Sequence, residues 1–333
     1  MFDNESAKRQ LVTALRARRT VLLAGAGNSR SVGYPSWPQL VEEMRFQFAS
    51  DLPPLNDASP MIFAGKIVHE IRLKKRLPDY YNFLERRFEP RSDRPRLHDD
   101  LHIALVRLPF CGLVTSNYEP VIESAAADAF AGDMGPFRCE PIDLCDERVY
   151  RVLDFFRSLA SDGPPRWVLH LHGYYRNPQR LILTDEDYRR HYGDPPEYDE
   201  EGTPQSVILD KLHRKVLWTL FVTHPLVFVG FGLRDDFFNH MLRVLRQDLQ
   251  LGNDLTHFAL MPFTTNEDQE KTVEYLRLLN TMPVFYHVPS VENAGQEPDH
   301  SGLKRLVFEL AEEVGVPVVS DAIASINKRM LEL

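Results

Sequence analysis

Residues 20–37 of the chain read TVLLAGAGNSRSVGYPSW, and this stretch indicates how the chain folds. An apolar run at 21–24 leads directly into Gly25, Ala26 and Gly27, and a polar loop follows. Glycines at the end of a strand permit a tight turn and a close approach of the backbone to a pyrophosphate. The usual dinucleotide-binding pattern would place a glycine at position 30, and a P-loop would add a lysine, so the stretch matches neither. A tight turn between a strand and a helix, without any ligand, stays open as a second interpretation.

Beyond this stretch, short apolar runs alternate with longer amphipathic stretches. This alternation predicts an α/β fold with a Rossmann-like, mainly parallel sheet and helices on both faces. Most runs are apolar throughout, as is typical of strands that are covered on both sides. The predicted strands are 20–24, 112–115, 167–171, 181–184, 226–230, 258–261 and 284–288. The predicted helices are 5–18, 37–49, 61–75, 80–88, 97–106, 120–129, 147–159, 205–223, 235–249, 265–279 and 303–314.

The spacing of these elements suggests how the chain is divided. About ninety residues separate the first two predicted strands, which is far more than a plain crossover needs. Residues 53–95 are therefore predicted to form a helical insertion module on a Rossmann domain made of 1–52 and 96–315. Residues 316–333 are predicted to form a C-terminal helix. The acidic segment 185–202 is predicted to be a surface loop or lid.

The composition excludes several classes of protein. With 43% hydrophobic and 26% charged residues among 333, the chain is neither disordered nor collagen-like. Three cysteines cannot build a four-cysteine zinc ribbon, and they suit a reducing compartment. The polar N-terminus and the absence of an apolar run of about 18 residues predict no signal peptide, no membrane span and a cytoplasmic location. The net charge of −9 argues against a dedicated nucleic-acid binder, so direct nucleic-acid binding is not expected.

A second segment with candidate site residues is GLVTSNYEP, residues 112–120. Thr115, Ser116 and Asn117 come directly after a predicted strand, at the place where open α/β sheets bind their ligands. Asn117 would equally make an acceptable N-cap for the helix that follows, so both interpretations remain open.

A third segment, WVLHLHGYY at 167–175, contains two histidines. His170 and His172 share one strand face because side chains alternate with a period of two, and each is either structural or a possible base. His-x-His is also a metal-ligand spacing, but no further ligands cluster nearby in the sequence, so we expect no metal. His98 and His102, four residues apart, are predicted to lie on an ordinary helix surface.

The fourth segment is LVFVGFGLRDDFF, residues 226–238. Its apolar strand ends at Gly230 and Gly232, and Asp235 or Asp236 then opens a helix, either as a cap or as a contact to a ribose hydroxyl. If the sheet is parallel, the ends of all four strands meet at one edge. We therefore expect the four segments to line one crevice.

In this order, the segments resemble the sirtuin-like (silent-information-regulator-two-like) family, which comprises Rossmann-type NAD-binding proteins related to sirtuin deacylases. The pattern that carries the resemblance is Gly25-Ala26-Gly27-x-Ser29, Gly33-x-Pro35, Thr115-Ser116-Asn117-Tyr118, Leu171-His172-Gly173, Thr184-x-x-Asp187-Tyr188 and Gly230-Phe231-Gly232-Leu233-x-Asp235. Deacylases carry a four-cysteine zinc ribbon, which this chain cannot build. They also have an Asp-Phe pair at the position where this chain has Ser36-Trp37. The chain is more similar to the bacterial sirtuin-like NADases of anti-phage defence.

The resemblance implies an NAD⁺ glycohydrolase that forms nicotinamide and ADP-ribose and acts in antiviral defence by depleting NAD⁺. It implies NAD⁺ as the substrate and Asn117 and His172 as the catalytic residues. The residues implied to bind NAD⁺ are Gly25, Ala26, Gly27, Ser29, Pro35, Thr115, Ser116, Gly230, Gly232 and Asp235. A toxic activity of this kind has to be gated. We therefore expect a homo-oligomer or a complex with a partner such as a HerA-like ATPase or an Argonaute-type protein.

Two other functions stay open at this stage. The alternative from a different class is a sensor or structural subunit of a defence complex that binds NAD⁺ or ADP-ribose without turnover. A protein deacylase comes third, because the zinc ribbon is missing. The sequence leaves open the roles of Glu119 and Gly232, the trigger, and whether ADP-ribose is released or cyclised.

Overall fold

The protein folds around one parallel sheet. A computed structural model describes residues 2–56, 59–90, 97–134, 137–146, 150–194, 209–233, 235–250, 256–289 and 299–317. The strands are β1 (Val21–Ala24), β2 (Gly112–Thr115), β3 (Glu140–Asp143), β4 (Trp167–His170), β5 (Leu226–Val229), β6 (His257–Phe263) and β7 (Thr281–His287). They lie in the order β3-β4-β2-β1-β5-β6-β7, and every pair of neighbours is parallel. The predicted α/β fold with a mainly parallel sheet is confirmed.

Helices connect the strands throughout the described ranges. The α-helices are α1 (Asn4–Arg16), α2 (Trp37–Phe48), α3 (Pro60–Leu73), α4 (Leu77–Phe88), α5 (Asp100–Arg107), α6 (Val121–Met134), α7 (Arg151–Ser158), α8 (Asp185–Tyr192), α9 (Leu212–Thr223), α10 (Asp236–Asp248), α11 (Asn266–Leu278) and α12 (Ser301–Glu313). Short 3₁₀ helices cover Ala26–Val32 and Pro178–Arg180. Among the described residues, no helix is both long and apolar enough to cross a bilayer.

The two faces of the sheet are buried in separate hydrophobic cores. In β1, Leu22 and Ala24 point into the first core, and Val21 and Leu23 point into the second; all four are fully buried. Helices α1, α5, α6 and α12 cover the first face, and α7 to α11 cover the second. A central strand with both faces buried has to be apolar at every position, which explains why β1 reads VLLA.

A third core lies beyond the carboxyl edge of the sheet. It joins α2, α3 and α4 through side chains such as Met44, Ile67 and Leu84. These pack with Tyr118, which follows β2, and with Leu181, which precedes α8. The helices of the predicted insertion therefore share a core with the end of the sheet. The proposed domain boundaries stay predictions, and residues 318–333 of the predicted C-terminal helix lie outside the described residues.

The predicted strand at 181–184 is wrong. This segment belongs to no strand, and the amide of Ile182 donates a hydrogen bond to the carbonyl of His172 at 3.0 Å. Leu181 packs into the third core and Ile182 into the second. The run is apolar because both of its sides are buried, without any pairing in the sheet.

Strand β3 and helix α8 were missing from the sequence-based prediction. Strand β3 reads EPID, and its proline and acidic residues conceal it; a proline is tolerated there because β3 is an edge strand. Helix α8 occupies the first part of the predicted loop at 185–202, and the part from 195 lies outside the described residues. Tyr188 and Tyr192, one helical turn apart, are the residues of α8 that enter the second core.

The start of α8 depends on a capping box. Oγ1 of Thr184 accepts from the amide of Asp187 at 3.2 Å, and Oδ2 of Asp187 accepts from the amide of Thr184 at 2.9 Å. Thr184→Ala should therefore lower the free energy of unfolding, measured in urea, by about 1 kcal/mol. The matched control is Thr13→Ala in the middle of α1, where the exposed hydroxyl only bonds back to the carbonyl of Arg9, so we expect no loss. Equal losses in the two variants would contradict the capping role.

Candidate active site

The turn after β1 lies directly against the turn after β5. The amide of Gly27 donates to the carbonyl of Gly230 at 2.9 Å. A Cβ atom at Gly25 would lie 2.6 Å from that carbonyl oxygen, and one at Gly230 would overlap the amide of Asn28. Gly230 also has a φ of +62°, which other residues rarely adopt. The packing of the two turns thus accounts for these glycines by itself, and their role in binding a pyrophosphate stays a prediction.

Asn117 follows β2 and bonds across to the β1 turn. Its Nδ2 donates to the carbonyl of Gly25 at 3.2 Å, to Oγ of Ser29 at 3.1 Å and to Oε1 of Glu119 at 2.9 Å. The side chain is 6% exposed. Helix α6 begins only at Val121, so this amide ties two strand ends together rather than capping the helix. Because these hydrogen bonds hold Nδ2 in place, they also fix the direction in which Oδ1 of the same amide points.

Glu119 is the buried acceptor of this network. Oγ of Ser29 donates to its Oε1 at 2.5 Å, and the same oxygen accepts from Asn117. Burial raises the pKa of Glu119, and the hydrogen bond from Ser29 offsets part of that rise. The carboxyl group whose role the sequence left open therefore positions both Ser29 and Asn117.

His170 holds the backbone of Asn117 in place. Its Nδ1 donates to the backbone carbonyl of Asn117 at 2.8 Å, and its Nε2 lies 2.6 Å from Oε1 of Glu123. Burial by itself would lower the pKa of His170, but the Glu123 carboxylate and the Asn117 carbonyl raise it above the ordinary value. His170 and Glu123 form a fully buried ion pair beneath Asn117.

His172 follows β4 and is enclosed by aromatic rings. Its Nε2 lies 3.1 Å from Oη of Tyr192, and its ring centroid is 5.3 Å from that of Tyr188 and 6.0 Å from that of Phe238. Burial, and to a smaller extent His191, lower the pKa of His172 to about 3. The imidazole is therefore neutral near pH 7 and able to accept a proton, but a pKa this far below 7 makes it a weak base while the aromatic rings cover it.

Asp235 accepts hydrogen bonds from α10 and from α8. Its Oδ1 caps α10 by accepting from the amides of Phe237 at 3.0 Å and Phe238 at 3.2 Å. Its Oδ2 accepts from the hydroxyl of Tyr188 at 2.7 Å. The capping alternative is observed, and contact with a ribose stays a prediction.

The remaining candidate residues are spread along the same edge of the sheet. Oγ1 of Thr115 and the amide of Ser116 donate to the carbonyl of Ala24 at 2.9 and 3.1 Å, which joins the ends of β1 and β2. Ala26 and Ser116 are half-buried and Gly232 is exposed. Pro35 lines a groove of about 610 Å³ together with residues of α2 and α4.

The order of the strands decides which candidates meet. Because β4, β2, β1 and β5 are consecutive and parallel, His172, Asn117, Gly27 and Gly230 all follow neighbouring strands at the carboxyl edge. Direct hydrogen bonds join the β1 turn to Asn117 and to Gly230. His172 instead makes its side-chain contacts with α8 and α10.

Sequence reasoning missed several residues that shape this edge. The prediction of an ordinary helix surface for His98 and His102 is wrong, because both side chains are buried. Nε2 of His102 lies 2.9 Å from the carbonyl of Asn28, and its Nδ1 lies 2.7 Å from Oδ1 of Asp99, so it supports the β1 turn. The threonine and aspartate of the α8 capping box were a local signal that could have revealed the helix carrying Tyr188 and Tyr192.

Comparison with known proteins decides the family. The family model described as a SIR2-like domain matches residues 112–281, about half of the chain, from β2 to the start of β7. The chain belongs to the SIR2-like family. The residues matched by the family model include both segments that carry Asn117 and His172.

Two curated relatives are similar over longer stretches. The chain is 22% identical over 260 residues to the defense-associated sirtuin 2 of Bacillus subtilis, covering 74% of this chain and 21% of that protein. It is 23% identical over 345 residues to the NAD(+) hydrolase ThsA of Bacillus cereus (strain MSX-D12), covering 88% of this chain and 61% of that protein. The match thus spans about a fifth of the first relative and about three fifths of the second.

The neutral state of His172 predicts a specific pH dependence of stability. In the unfolded chain a histidine has a pKa of about 6.5, so it binds a proton on acidification while the folded His172 does not. Because only the unfolded chain gains this proton, the free energy of unfolding falls as the pH drops from about 6.5 towards 3. Between about pH 6 and pH 4, we expect the unfolding free energy of His172→Gln to fall less steeply than that of the wild type, by about 1.4 kcal/mol per pH unit.

His257→Gln provides the control for this measurement. Burial lowers the pKa of His257 to about 3 as well, and it lies in β6, so this variant should show a similar loss of slope. If His257→Gln shows the loss and His172→Gln keeps the slope of the wild type, the neutral state of His172 is refuted.

Proposed function

We propose that this protein is an NAD⁺ glycohydrolase that releases nicotinamide and ADP-ribose and acts in anti-phage defence by depleting NAD⁺. The observation that carries the proposal is the pairing of an oriented amide, Asn117, with a neutral histidine, His172, after the neighbouring strands β2 and β4. The glycine turn of β1 adjoins Asn117 on its other side. Membership of the SIR2-like family and the names of the two relatives support the same activity.

The chemistry of NAD⁺ suits this small set of residues. Nicotinamide departs from a cationic ring as a neutral molecule, so the reaction needs no acid to protonate a leaving oxygen. Ordinary glycosidases, in contrast, use two carboxyl groups. Oδ1 of Asn117 would orient a water molecule or a ribose hydroxyl, and Nε2 of His172 would accept the proton.

The other predicted residues would hold the rest of the dinucleotide. Residues 25–29 would bind the pyrophosphate through backbone amides and the Ser29 hydroxyl, with Pro35, Thr115 and Ser116 beside them. Gly230, Gly232 and Asp235 would lie toward the adenosine ribose. Since Oδ2 of Asp235 accepts from Tyr188, a bound ribose would share or displace that hydrogen bond.

The rings of Tyr188, Tyr192 and Phe238, which form an aromatic cover over His172, suggest how such an activity would be controlled. Tyr188 and Tyr192 of α8 contact His172 directly, so α8 has to shift before a ribose can reach its Nε2. We propose that self-assembly, or a partner such as a HerA-like ATPase or an Argonaute-type protein, drives this shift. A cytoplasmic location fits the three free, buried thiols.

The same cover favours a second candidate function. A subunit that binds NAD⁺ or ADP-ribose without turnover would keep His172 bonded to Tyr192, as it is here. Nicotinamide release by the purified protein, with and without its genomic neighbour, separates the two functions, because only the hydrolase produces it.

Substitution of the two catalytic candidates tests the proposal. If both act in the transition state, Asn117→Ala and His172→Ala should each lower kcat by about 10²-fold or more, while NAD⁺ binding falls far less. Turnover and the melting temperature are measured on the same samples, because Asn117→Ala also removes hydrogen bonds that hold the β1 turn.

A half-buried histidine outside the site provides the control. His224 follows α9, and His224→Ala should keep its turnover. A His172→Ala protein with full NADase activity would rule out the mechanism. Inactivity with normal melting and retained NAD⁺ binding would support it.

A further inference from the structure

A second cluster of reactive side chains lies beside α8 and outside the proposed NAD⁺ site. It consists of Cys145, two residues after the end of β3, His191, in the last turn of α8, and His213, in the first turn of α9. One potential ligand atom from each residue lies within 4.8 Å of the other two. Cys145 and His213 are buried, and His191 is half-buried.

One pair in this cluster, Cys145 and His213, already has the spacing of metal ligands. Sγ of Cys145 lies 3.7 Å from Nε2 of His213. In a tetrahedral zinc site with Zn–S of about 2.3 Å and Zn–N of about 2.0–2.1 Å, the sulfur and nitrogen lie about 3.6 Å apart. His191, whose ligand atom lies within 4.8 Å of the other two, would complete the set, and its partial exposure gives it room to move and gives an ion a route in.

We propose that Cys145, His191 and His213 form a binding site for Zn²⁺. A thiolate with two imidazoles is a soft to borderline donor set, which selects Zn²⁺ over the oxygen-seeking Mg²⁺ and Ca²⁺. Three protein ligands leave the fourth position to a water molecule. Binding displaces the proton of the Cys145 thiol into solvent, so one proton is released for each ion bound at a pH where the thiol is protonated.

The metal-free contacts of this cluster show what binding has to replace. Nε2 of His213 lies 3.0 Å from the carbonyl of Leu171, which makes that nitrogen the proton donor. Burial, with smaller contributions from His191 and His172, lowers the pKa of His213 far below its ordinary value, so the ring is neutral. Zinc would bind Nε2 in place of its proton, which moves to Nδ1 of the same ring, so His213 stays neutral and only its hydrogen bond to the Leu171 carbonyl is lost.

The site would fix the cover of the candidate active site. His191 immediately precedes Tyr192, whose hydroxyl lies 3.1 Å from Nε2 of His172. The ring of Tyr192 also packs on His213 at 5.0 Å. A bound ion would therefore tie the end of α8 to β3 and α9 and hold Tyr192 over His172.

This proposal revises the expectation that the protein binds no metal. That expectation considered only His170 and His172 and a four-cysteine ribbon. Cys145, His191 and His213 are far apart in the sequence, so no short spacing pattern could reveal them. The folded chain brings them together from three separate elements.

Zinc binding to the chelator-treated protein tests the site without any NAD⁺. Equilibrium dialysis against Zn²⁺ followed by elemental analysis should give one ion per chain. Cys145→Ser and His213→Gln should each weaken binding by about 100-fold or more, since loss of a second-shell group alone costs 10–100-fold. Cys139→Ser is the matched control, because this thiol is also buried but lies by the carbonyl of Pro165, and it should bind as the wild type does.

Two further measurements test the site even if Cys145→Ser or His213→Gln fails to fold, because they do not use these variants. Co²⁺ bound to the wild type should show a thiolate charge-transfer band, and Zn²⁺ should slow hydrogen exchange in α8 of the wild type and of Cys139→Ser. The proposal is overturned if the wild type binds no stoichiometric Zn²⁺, if its Co²⁺ form lacks the thiolate band, or if Cys145→Ser and Cys139→Ser bind equally well. Because no readout involves NAD⁺ turnover, failure of the hydrolase proposal would leave these results unaffected.

Discussion

The hydrogen bond between the amide of Gly27 and the carbonyl of Gly230 sets the geometry of the candidate site. A parallel sheet by itself only brings strand ends to one edge, about 4.8 Å apart from strand to strand. Contact between the turns requires that no Cβ intervene, and Gly25, Gly27 and Gly230 meet that requirement. Once β1 and β5 are joined in this way, the carbonyl of Gly25 is fixed as an acceptor for Asn117, and the β2 end is drawn in as well.

The features that the sequence predicts are those encoded locally. Strands β1, β2, β4 and β5 are buried on both faces, so each has to be an apolar run, and each run is visible by itself. Strand β3 lies at the sheet edge, where a proline and acidic residues are tolerated, and it leaves no such signal. The apolar run at 181–184 shows the reverse case, because apolar composition reports burial and carries no information about which backbone a segment pairs with.

The same difference between local and long-range information applies to the candidate site. Asn117 and His172 could be predicted because each stands at the end of a recognisable strand. Their partners could not be, because the contacts join residues that are distant in sequence: His170 lies 47 positions from Glu123, and His172 lies 20 from Tyr192. A buried ion pair such as His170 with Glu123 carries a large desolvation cost, so its value here is the fixed orientation of the Asn117 backbone rather than stability.

Within the proposed function, one structural feature has two opposing effects on His172. The rings of Tyr188, Tyr192 and Phe238 exclude water and keep the imidazole neutral and able to accept a proton, yet the same rings weaken it as a base and exclude a substrate. The conflict is resolved if the cover can be displaced at low cost. Helix α8 has only eight residues, too few to be stable alone, and its exposed ion pair from Glu186 to Arg72 contributes at most about 1 kcal/mol. Its attachment therefore depends on packing contacts such as those of the two tyrosines in the second core and of His191 on His213, so a partner or ion that contacts α8 would control access to His172.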